Sequence, residues 1–484
     1  MTDKSMSANP TQPANAVQAP VSEMRALKLR PGARLEIHLL QNLPPSNINR
    51  DDTGSPKDAV YGGVRRARVS SQSWKRAMRQ HAREQQLLAE TDFAWRTKFL
   101  PQMLRQELQG SGVPSPLADG IAARVIASIT LKEVSDGAEA LLLFGVGEAR
   151  ALASVISRQI DLFAQGTPLV SLEQAGSVDG SVEGSAQAGA AVDSEVASEG
   201  TSGDVPEAVQ AAGPGKKGKK EKGKKAKALS FEPYKDAPLR LIVQTLQSVP
   251  SLDVALHGRM LASNQAYSVD GALQVAHALG THAAPREFDY YTGIDELKTE
   301  GGAGMIGETE FVSSVMYRYL CLDLAQLQKN LTALPEGEQV EAMVRGARSV
   351  VESAFLSMPR GKRTAFAANT LPAYALVGVS ERGVAMSLAG AYLAPVTATD
   401  AAGADRAGYM HSSVERLESE FSNLTRVYAS HLGAGAVNQV PSWQRLSVAQ
   451  GGEALAGAHD AQSLDALLAG VESRLRELLG KAHA

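Results

Sequence analysis

The stretch RLEIHLLQNL, residues 34–43, alternates apolar and polar side chains. Leu35, Ile37 and Leu39 share one face of an extended chain, and the polar residues between them lie on the other face. This period of two indicates a β-strand. We expect the fold to be built outward from this strand.

A second alternating stretch, VRRARVS at 64–70, follows a long loop at 44–63 that is rich in turn-forming residues. In a strand, Arg66 and Arg68 fall on one face and Arg65 on the other. The three arginines therefore cannot all contact one bound strand.

A helix is expected next, with Ser71 or Ser73 as its N-cap. One stripe of this helix is apolar and suits a core: Trp74, Met78 and Ala82. A second stripe is basic and repeats every four residues: Lys75, Arg79 and Arg83. Like charges at this spacing repel each other, so an anionic partner is expected to offset them.

Positive charge is concentrated around this helix although the 484-residue chain has a formal net charge of −3. Between Arg50 and Arg83 there are nine Arg or Lys and three Asp, which leaves a local charge of about +6. A nucleic-acid backbone neutralises such a cluster and releases counterions. Ser70, Ser71, Gln72 and the start of the helix add uncharged phosphate donors. The alternative is a solvated amphipathic face that is paired with acidic groups elsewhere in the chain.

The rest of the chain shows further periodic segments. Residues 75–165 have a mainly helical pattern, and order is expected again at 237–260. The residue patterns of six further segments predict the following elements: a helix at 269–283, a projecting loop or hairpin at 285–310, a strand at 311–324, a helix at 337–357, a basic loop leading into a strand at 358–380, and an amphipathic helix at 462–481.

Two segments have compositions that do not support a packed core. Residues 1–28 are rich in Ser, Ala, Pro and Gln and are expected to form a disordered tail. Residues 166–229 form a low-complexity insertion, acidic at 173–207 and lysine-rich at 216–227, which we interpret as a disordered, solvated linker. Its lysines offer a second possible contact with nucleic acid.

Composition and motifs exclude several function classes. The single cysteine, Cys321, rules out a disulfide framework and a Cys-based zinc site, and no cofactor or metal is expected. The N-terminus lacks an apolar signal core and no segment is long enough to span a membrane, so we expect a soluble, cytoplasmic protein. The glycines of GGAGMIG (301–307) follow no apolar strand and precede no helix, which argues against a dinucleotide site.

No catalytic constellation emerges from the remaining residues, and the chain is expected not to be an enzyme. His38 lies near the basic cluster and could act as a general base in RNA cleavage; a lone strand histidine is more often structural. In DVALHGRM (253–260), Arg259 and Met260 sit at a turn-like glycine. An apolar tip such as Met260 can unstack bases, although such a pair is usually a core or surface feature.

Several long stretches closely resemble one known family. EIHLLQNLPPSNINRDDTGSPKDAVYGGVRRARVSSQSWKRAMR (36–79) resembles the opening motif of the CasC-type backbone subunit of Cascade, the type I-E CRISPR effector complex. Five later stretches agree with that family in the same order: DVALHGRM, VDGALQVAHALGTHA, DYYTGIDEL, GETEFVSSVMYRYLCLDLAQLQKNL and RTAFAANTLP. Together they are spread over residues 33–375.

The resemblance implies an α+β fold that is likened to a right hand. Its palm is a modified RRM-like (ferredoxin-like) domain, here expected at 29–75, 236–280 and 311–400. A helical fingers insertion is expected at 76–235 and includes the disordered segment 166–229. A projecting thumb hairpin is expected at 281–310, and residues 401–484 form a C-terminal region that is partly helical.

The resemblance also implies a function. Several copies would bind head to tail along one CRISPR guide RNA and present it for pairing with target DNA, beside other Cascade subunits. The expected RNA-binding residues are Arg50, Lys57, Ser70, Gln72, Lys75, Arg76 and Arg79, followed by Arg259, Met260 and, near the thumb tip, Met305. The alternative function is a CRISPR RNA-processing endonuclease with an RRM-like fold, which would depend on His38 or His81.

Overall fold

In the computed structural model of the chain, ten segments are described: 29–130, 141–164, 237–248, 251–261, 265–294, 296–297, 303–397, 408–432, 442–447 and 458–481. The expected tail at 1–28 and the low-complexity insertion at 166–229 lie outside these residues. The described part is a mixed α+β structure.

The strands are short except for β1 and β9. They are β1 (Arg34–Ser46), β2 (Asp58–Tyr61), β3 (Val64–Val69), β4 (Ala94–Thr97), β5 (Leu142–Gly145), β6 (Leu273–Val275), β7 (Ala278–Gly280), β8 (Glu287–Ile294), β9 (Ala303–Asp323), β10 (Pro372–Ser380), β11 (Ser442–Ser447) and β12 (Ala458–Asp460).

The helices occur mostly between β3 and β6 and after β9. They are α1 (Ser71–Glu84), α2 (Leu100–Gly110), α3 (Ser115–Thr130), α4 (Val146–Arg158), α5 (Ile160–Ala164), α6 (Ala237–Ser248), α7 (Leu252–His257), α8 (Leu324–Asn330), α9 (Glu336–Leu356), α10 (Arg363–Phe366), α11 (Gly408–Val427) and α12 (Leu464–Lys481). None of the helices in the described segments is long and apolar enough to cross a membrane.

The main sheet has β1 near its centre and the strand order β12-β11-β10-β1-β9-β7-β3-β2, and β6 and β8 also pair with β9. β1 is antiparallel to both neighbours, so that Ile37 lies opposite Val377 of β10 and Leu320 of β9. The predicted strands around 34–43 and 64–70 are therefore confirmed. The four strands β10, β1, β9 and β7 form the middle of this sheet.

Helices cover both faces of the sheet. Leu35, Ile37 and Leu39 pack with apolar residues of α1, α9 and α12. On the opposite face, Leu40 and Leu376 pack with residues of α11. The polar side of β1 therefore faces a second packed layer rather than solvent, because helix α11 from the C-terminal region covers it.

The start of α1 follows its local sequence closely. The N-cap is Ser70 and not Ser71 or Ser73 as predicted: the Ser70 Oγ accepts a hydrogen bond from the Ser73 N–H at 3.2 Å. This bond satisfies one of the N–H groups left open at a helix start. Trp74 and Met78 are buried as the apolar stripe predicted. The α9 and α12 helices confirm the predictions at 337–357 and 462–481.

The predicted helix at 269–283 is wrong. The segment forms β6 and β7, which both pair with β9. Its apolar spacing fits a helix, but the 21-residue strand β9 offers a sheet edge along which short segments pair. Gly280 fits closely here, since a Cβ on it would lie 2.6 Å from the Ser314 Oγ. Tertiary pairing therefore overrides the local pattern.

The hairpin predicted at 285–310 is confirmed. Strand β8 pairs with the first part of β9, from Glu287 opposite Phe311 to Ile294 opposite Ala303. Large apolar side chains stay exposed along this arm: Phe288, Tyr290, Tyr291, Ile294, Leu297, Met305 and Ile306. The arm thus presents apolar surface that the described residues leave exposed.

A second core lies among the helices between β3 and β6. Residues of α2, α3, α4 and α6 form it, together with Leu261 and Tyr267. Helix α6 and these two residues belong to the segment 236–280 that the sequence assigned to the palm. Their packing places this part of the segment with the helical layer.

Candidate nucleic-acid interface

The beginning of α1 is held between two other segments of the chain. The Ser70 N–H donates to the Asn49 Oδ1 at 2.8 Å, which ties the helix to the loop after β1. The Ser71 N–H donates to the His277 Nδ1 at 2.9 Å, which ties it to the β6–β7 connection. These bonds fix a corner at which a helix N-terminus meets two loops.

Basic side chains converge on this corner. Burial lowers the pKa of His277, and the nearby positive charges of Arg68 and Lys57 lower it further. The Arg68 Nε donates to the Asp58 carbonyl oxygen at 3.2 Å, and no acidic residue lies in the first turn of α1. Because His277 accepts a hydrogen bond through Nδ1, it is held as neutral imidazole. The corner is positive through Arg68 and Lys57.

Three of the predicted RNA-binding residues are exposed on the segments that form this corner: Arg50 on the loop after β1, and Gln72 and Arg76 on α1. The loop that carries Arg50 and Lys57 closes on itself through a bridge between Arg50 and Pro56. Ser70 is placed differently, since it is buried and its hydroxyl caps the helix. The Ser70 side chain therefore positions the corner.

Lys75 lies at the rim of the corner. Its Nζ donates to the Leu273 carbonyl oxygen of β6 at 2.9 Å. Burial lowers its pKa, and the positive charge of Arg96 on β4 adds to that effect. The side chain is half-buried. Lys75 is thus anchored to the sheet, and its positive charge lies near that of Arg96.

Arg79 has an anionic partner within the chain, which corrects the expectation that its charge calls for RNA. Its Nε and Nη2 donate to the two carboxylate oxygens of Asp253, each at 2.8 Å, and Nη2 also donates to the Ala94 carbonyl oxygen. Burial alone raises the pKa of Asp253, but the Arg79 hydrogen bonds and charge hold it below its ordinary value. The pair joins α1 to α7.

The basic stripe therefore divides along α1. Arg83 donates to the Ala94 carbonyl oxygen at 2.8 Å and stacks on the Trp95 ring. Together with Arg79 it packs against β4 and α7 instead of facing outward. The sequence interpretation that one continuous stripe faces phosphate is wrong for this half of the helix.

Arg259 is a second correction, because it is only 5% exposed. It donates to both carboxylate oxygens of Glu148 at 2.9 Å and to the Tyr267 carbonyl oxygen at 2.8 Å. Complete burial raises the pKa of Glu148, and the charge and hydrogen bonds of Arg259 offset only part of that rise. A buried arginine with this set of partners holds the helical layer together and is not available to RNA.

Its neighbour Met260 is 86% exposed. The residue follows Gly258, whose φ of 79° lies in the left-handed region. A Cβ on Gly258 would come within 2.8 Å of the Gly271 nitrogen. After this tight turn the Arg259 side chain is buried and the Met260 side chain is exposed to solvent.

Met305 lies on the arm formed by β8 and β9, opposite Gly293. It is two residues from Ala303, where the described pairing ends, and it is 59% exposed. Its side chain is therefore available to a partner near the end of the arm.

The loop 358–371 adds basic residues that the sequence marked as a basic loop but did not assign to the site. Gly361 lies against the loop after β1, since a Cβ on it would be 2.3 Å from the Ile48 carbonyl oxygen. Lys362 has a left-handed φ of 44° and its Nζ donates to the Thr309 Oγ1 at 3.3 Å. Arg363 is exposed. Such a non-glycine conformation is often found at functional sites.

Arg65, Arg66 and Arg68 separate as the alternation predicted, but they do not share a role. Arg66 is fully buried, and its guanidinium donates to the Gly280, Thr281 and Tyr392 carbonyl oxygens at 2.8–3.1 Å. Arg65 pairs with Asp58 at 2.6 Å on the surface. Of the three, Arg68 lies beside His277 at the basic corner.

His38 lies in the core, where its Nδ1 is 2.9 Å from the Tyr317 hydroxyl. Burial lowers its pKa to about 4, against the opposing charge of Glu36. The ring is surrounded by Tyr317, Tyr319 and Trp443. The histidine on which the endonuclease alternative mainly depended is thus fully buried.

Comparison with known proteins gives this architecture a family. The chain belongs to the CT1975-like protein family, whose model matches residues 35–468. No curated protein matches the chain.

Two solved structures resemble the chain over most of its length. One, described as a CRISPR RNA-guided surveillance complex in a pre-nicking state, contains a chain that is 25% identical, with a TM-score of 0.63 over 91% of this chain and 100% of that one. A second, described as a CRISPR RNA-guided surveillance complex, contains a chain that is 21% identical, with a TM-score of 0.54 over 91% of this chain and 99% of that one. The second likeness concerns the fold alone.

Proposed function

We propose that this protein is a non-catalytic, RNA-binding backbone subunit of a type I-E Cascade complex. The observation that carries the proposal is its likeness, over 91% of its length, to a chain of a CRISPR RNA-guided surveillance complex. In this proposal several cytoplasmic copies line one guide RNA beside other Cascade subunits, and the guide pairs with target DNA.

The strand order supports an RRM-like palm. Strands β10, β1, β9 and β7 have the order 4-1-3-2 when counted along the chain as 1, 2, 3 and 4 from β1. Helix α1 lies between the first and second of these strands and α9 between the third and fourth, and both pack on one face. This is the βαββαβ pattern of ferredoxin-like domains.

The sheet face without α1 and α9 is the one on which RRM domains stack bases. Here α11 covers it. The proposal therefore places RNA at the corner where α1 begins, with Lys57, Arg68 and Arg76 beside the phosphates and the start of the helix as an anion-binding end. The exposed arm of β8 and β9, the proposed thumb, is available to the RNA or to the next copy.

The test is co-expression of the chain with a CRISPR array and the other complex subunits, followed by purification and sequencing of the RNA that is retained. The expected result is RNA of uniform length that carries spacer sequence. Retention of mixed cellular RNA, or of none, contradicts a guide-specific backbone role.

Incubation of the purified chain with precursor RNA separates the backbone role from the endonuclease alternative. The precursor is expected to stay intact. Site-specific cleavage that disappears in the His38→Ala or His81→Ala variant contradicts the non-catalytic role.

A further inference from the structure

An aromatic side chain outside the proposed corner stays exposed although it is large and apolar. Trp95 on β4 is 48% exposed, and Phe99, just beyond the strand, is exposed as well. The other two tryptophans, Trp74 and Trp443, are buried. Large aromatic rings contribute strongly to binding when they are covered, so an exposed one beside a proposed interface calls for a partner.

Trp95 is held in place by Arg83. The guanidinium carbon of Arg83 lies 3.8 Å from the centre of the Trp95 ring. Arg83 is itself fixed by its hydrogen bond to the Ala94 carbonyl oxygen at 2.8 Å. Arg83 therefore covers part of the Trp95 ring and holds it in place, and the remaining 48% of the residue is exposed to solvent.

The surroundings of this ring are positive. Arg96 and Lys98 follow it closely in the chain and are exposed, and neither side chain has an ion pair with another described residue. Arg96 is close enough to Lys75 to lower its pKa, which connects the ring to the basic corner. A flat aromatic surface among unpaired cations suits a single nucleic-acid strand, whose bases stack and whose phosphates are anionic.

A protein strand fits this place less well. Within the described residues β4 pairs with β5 alone, and at Ala94 the backbone of its other edge is already bonded to the side chains of Arg79, Arg83 and Asp253. Basic side chains on an edge strand discourage the addition of another strand. The charge thus favours nucleic acid over an added protein segment.

We infer that Trp95, stacked on Arg83, is a platform for one base of the bound guide RNA. The inference rests on the proposed RNA-binding function and adds a contact that reads no sequence, because every base has a flat face. The exposed positive charges of Arg96 and Lys98 would attract the phosphates of the same RNA strand.

The test measures binding of an unstructured, guide-length RNA by the full chain, with intrinsic tryptophan fluorescence as a second readout. Trp95→Ala is expected to weaken binding by roughly 5- to 150-fold, and Trp95→Phe to keep most of it. Stacking is expected to quench the fluorescence of the wild-type chain, in which Trp95 is the exposed tryptophan. Tyr428→Ala removes an aromatic ring of similar exposure, 51%, and serves as the matched control.

A series of oligonucleotides with a single abasic site at successive positions separates stacking from a structural role. The wild-type chain is expected to lose affinity at one position, and Trp95→Ala to be insensitive there. Equal RNA affinity for wild type and Trp95→Ala overturns the platform while leaving the proposed function intact. No RNA binding by any chain, wild type included, overturns the proposed function and the platform with it.

Discussion

The two ends of helix α1 use similar basic sequence in opposite ways. At its beginning, Lys57 and Arg68 gather around His277 and the open helix terminus. Toward its end, Arg79 is paired with Asp253 and Arg83 is stacked on Trp95. Charge density alone does not distinguish a binding surface from a packed one. The difference lies in whether the chain supplies the counter-charge itself.

The strongest test of this comparison is the stability of the paired end. Arg79→Leu leaves the buried Asp253 carboxylate without its bidentate partner and is expected to lower the free energy of unfolding by about 3–5 kcal/mol. Arg76→Leu, at an exposed position on the same helix, is expected to change it by less than about 1 kcal/mol. Chemical denaturation measures both. Equal losses would show that the two positions do not differ in packing.

How far the sequence predicts the fold depends on how local the determining contacts are. The β1 strand and the α1 and α9 helices follow from periodicity within their own residues. The helix predicted at 269–283 failed because its structure is decided by pairing with β9, about forty residues further along the chain. The burial of the second, polar side of β1 depends on α11, which lies more than 350 residues further along the chain.

The same distinction applies to the site. The basic corner was visible as a charge cluster, and its exposed residues Arg50, Gln72 and Arg76 were named from the sequence. Arg79 was misassigned because its partner Asp253 is 174 residues away, and periodicity within a helix carries no information about such a contact. Arg259 was misassigned for the same reason, since Glu148 is 111 residues distant.

The buried His38 of β1 gives the next largest expected effect, which is a dependence of the free energy of unfolding on pH. The pKa of His38 is lowered from about 6.5 in an unfolded chain to about 4 by burial, so the folded state binds fewer protons between those values. His38 therefore has no effect on the free energy of unfolding above about pH 6.5. As the pH drops from there toward 4, this group lowers the free energy of unfolding by about 1.4 kcal/mol per pH unit. His38→Gln is expected to show a shallower loss in denaturation series at about pH 7 and about pH 5. Parallel profiles for the two chains contradict a buried neutral histidine.

The open end of α1 is expected to respond through RNA affinity. Lys57→Ala and Arg68→Ala are each expected to reduce the slope of log affinity against log salt by about 1, because each removes a phosphate contact. Together they are expected to weaken binding by about 1.5–3 kcal/mol at low salt. Arg476→Ala, whose side chain pairs with Glu341 on the surface between α9 and α12, is the control with an unchanged slope. An equal change in all three variants contradicts a localised interface.

The smallest expected effect belongs to Met260, whose neighbour Arg259 provides the contrast. Arg259→Met leaves Glu148 as an unpaired buried carboxylate and is expected to destabilise the fold strongly. Met260→Ala removes a side chain that is 86% exposed, so the free energy of unfolding is expected to change by about 0.5 kcal/mol or less. If the methionine packs against bases, RNA affinity falls by roughly two- to ten-fold, up to about 1.4 kcal/mol. Unchanged affinity in a stable Met260→Ala chain removes this residue from the interface, whereas a loss of stability contradicts its outward placement by the Gly258 turn.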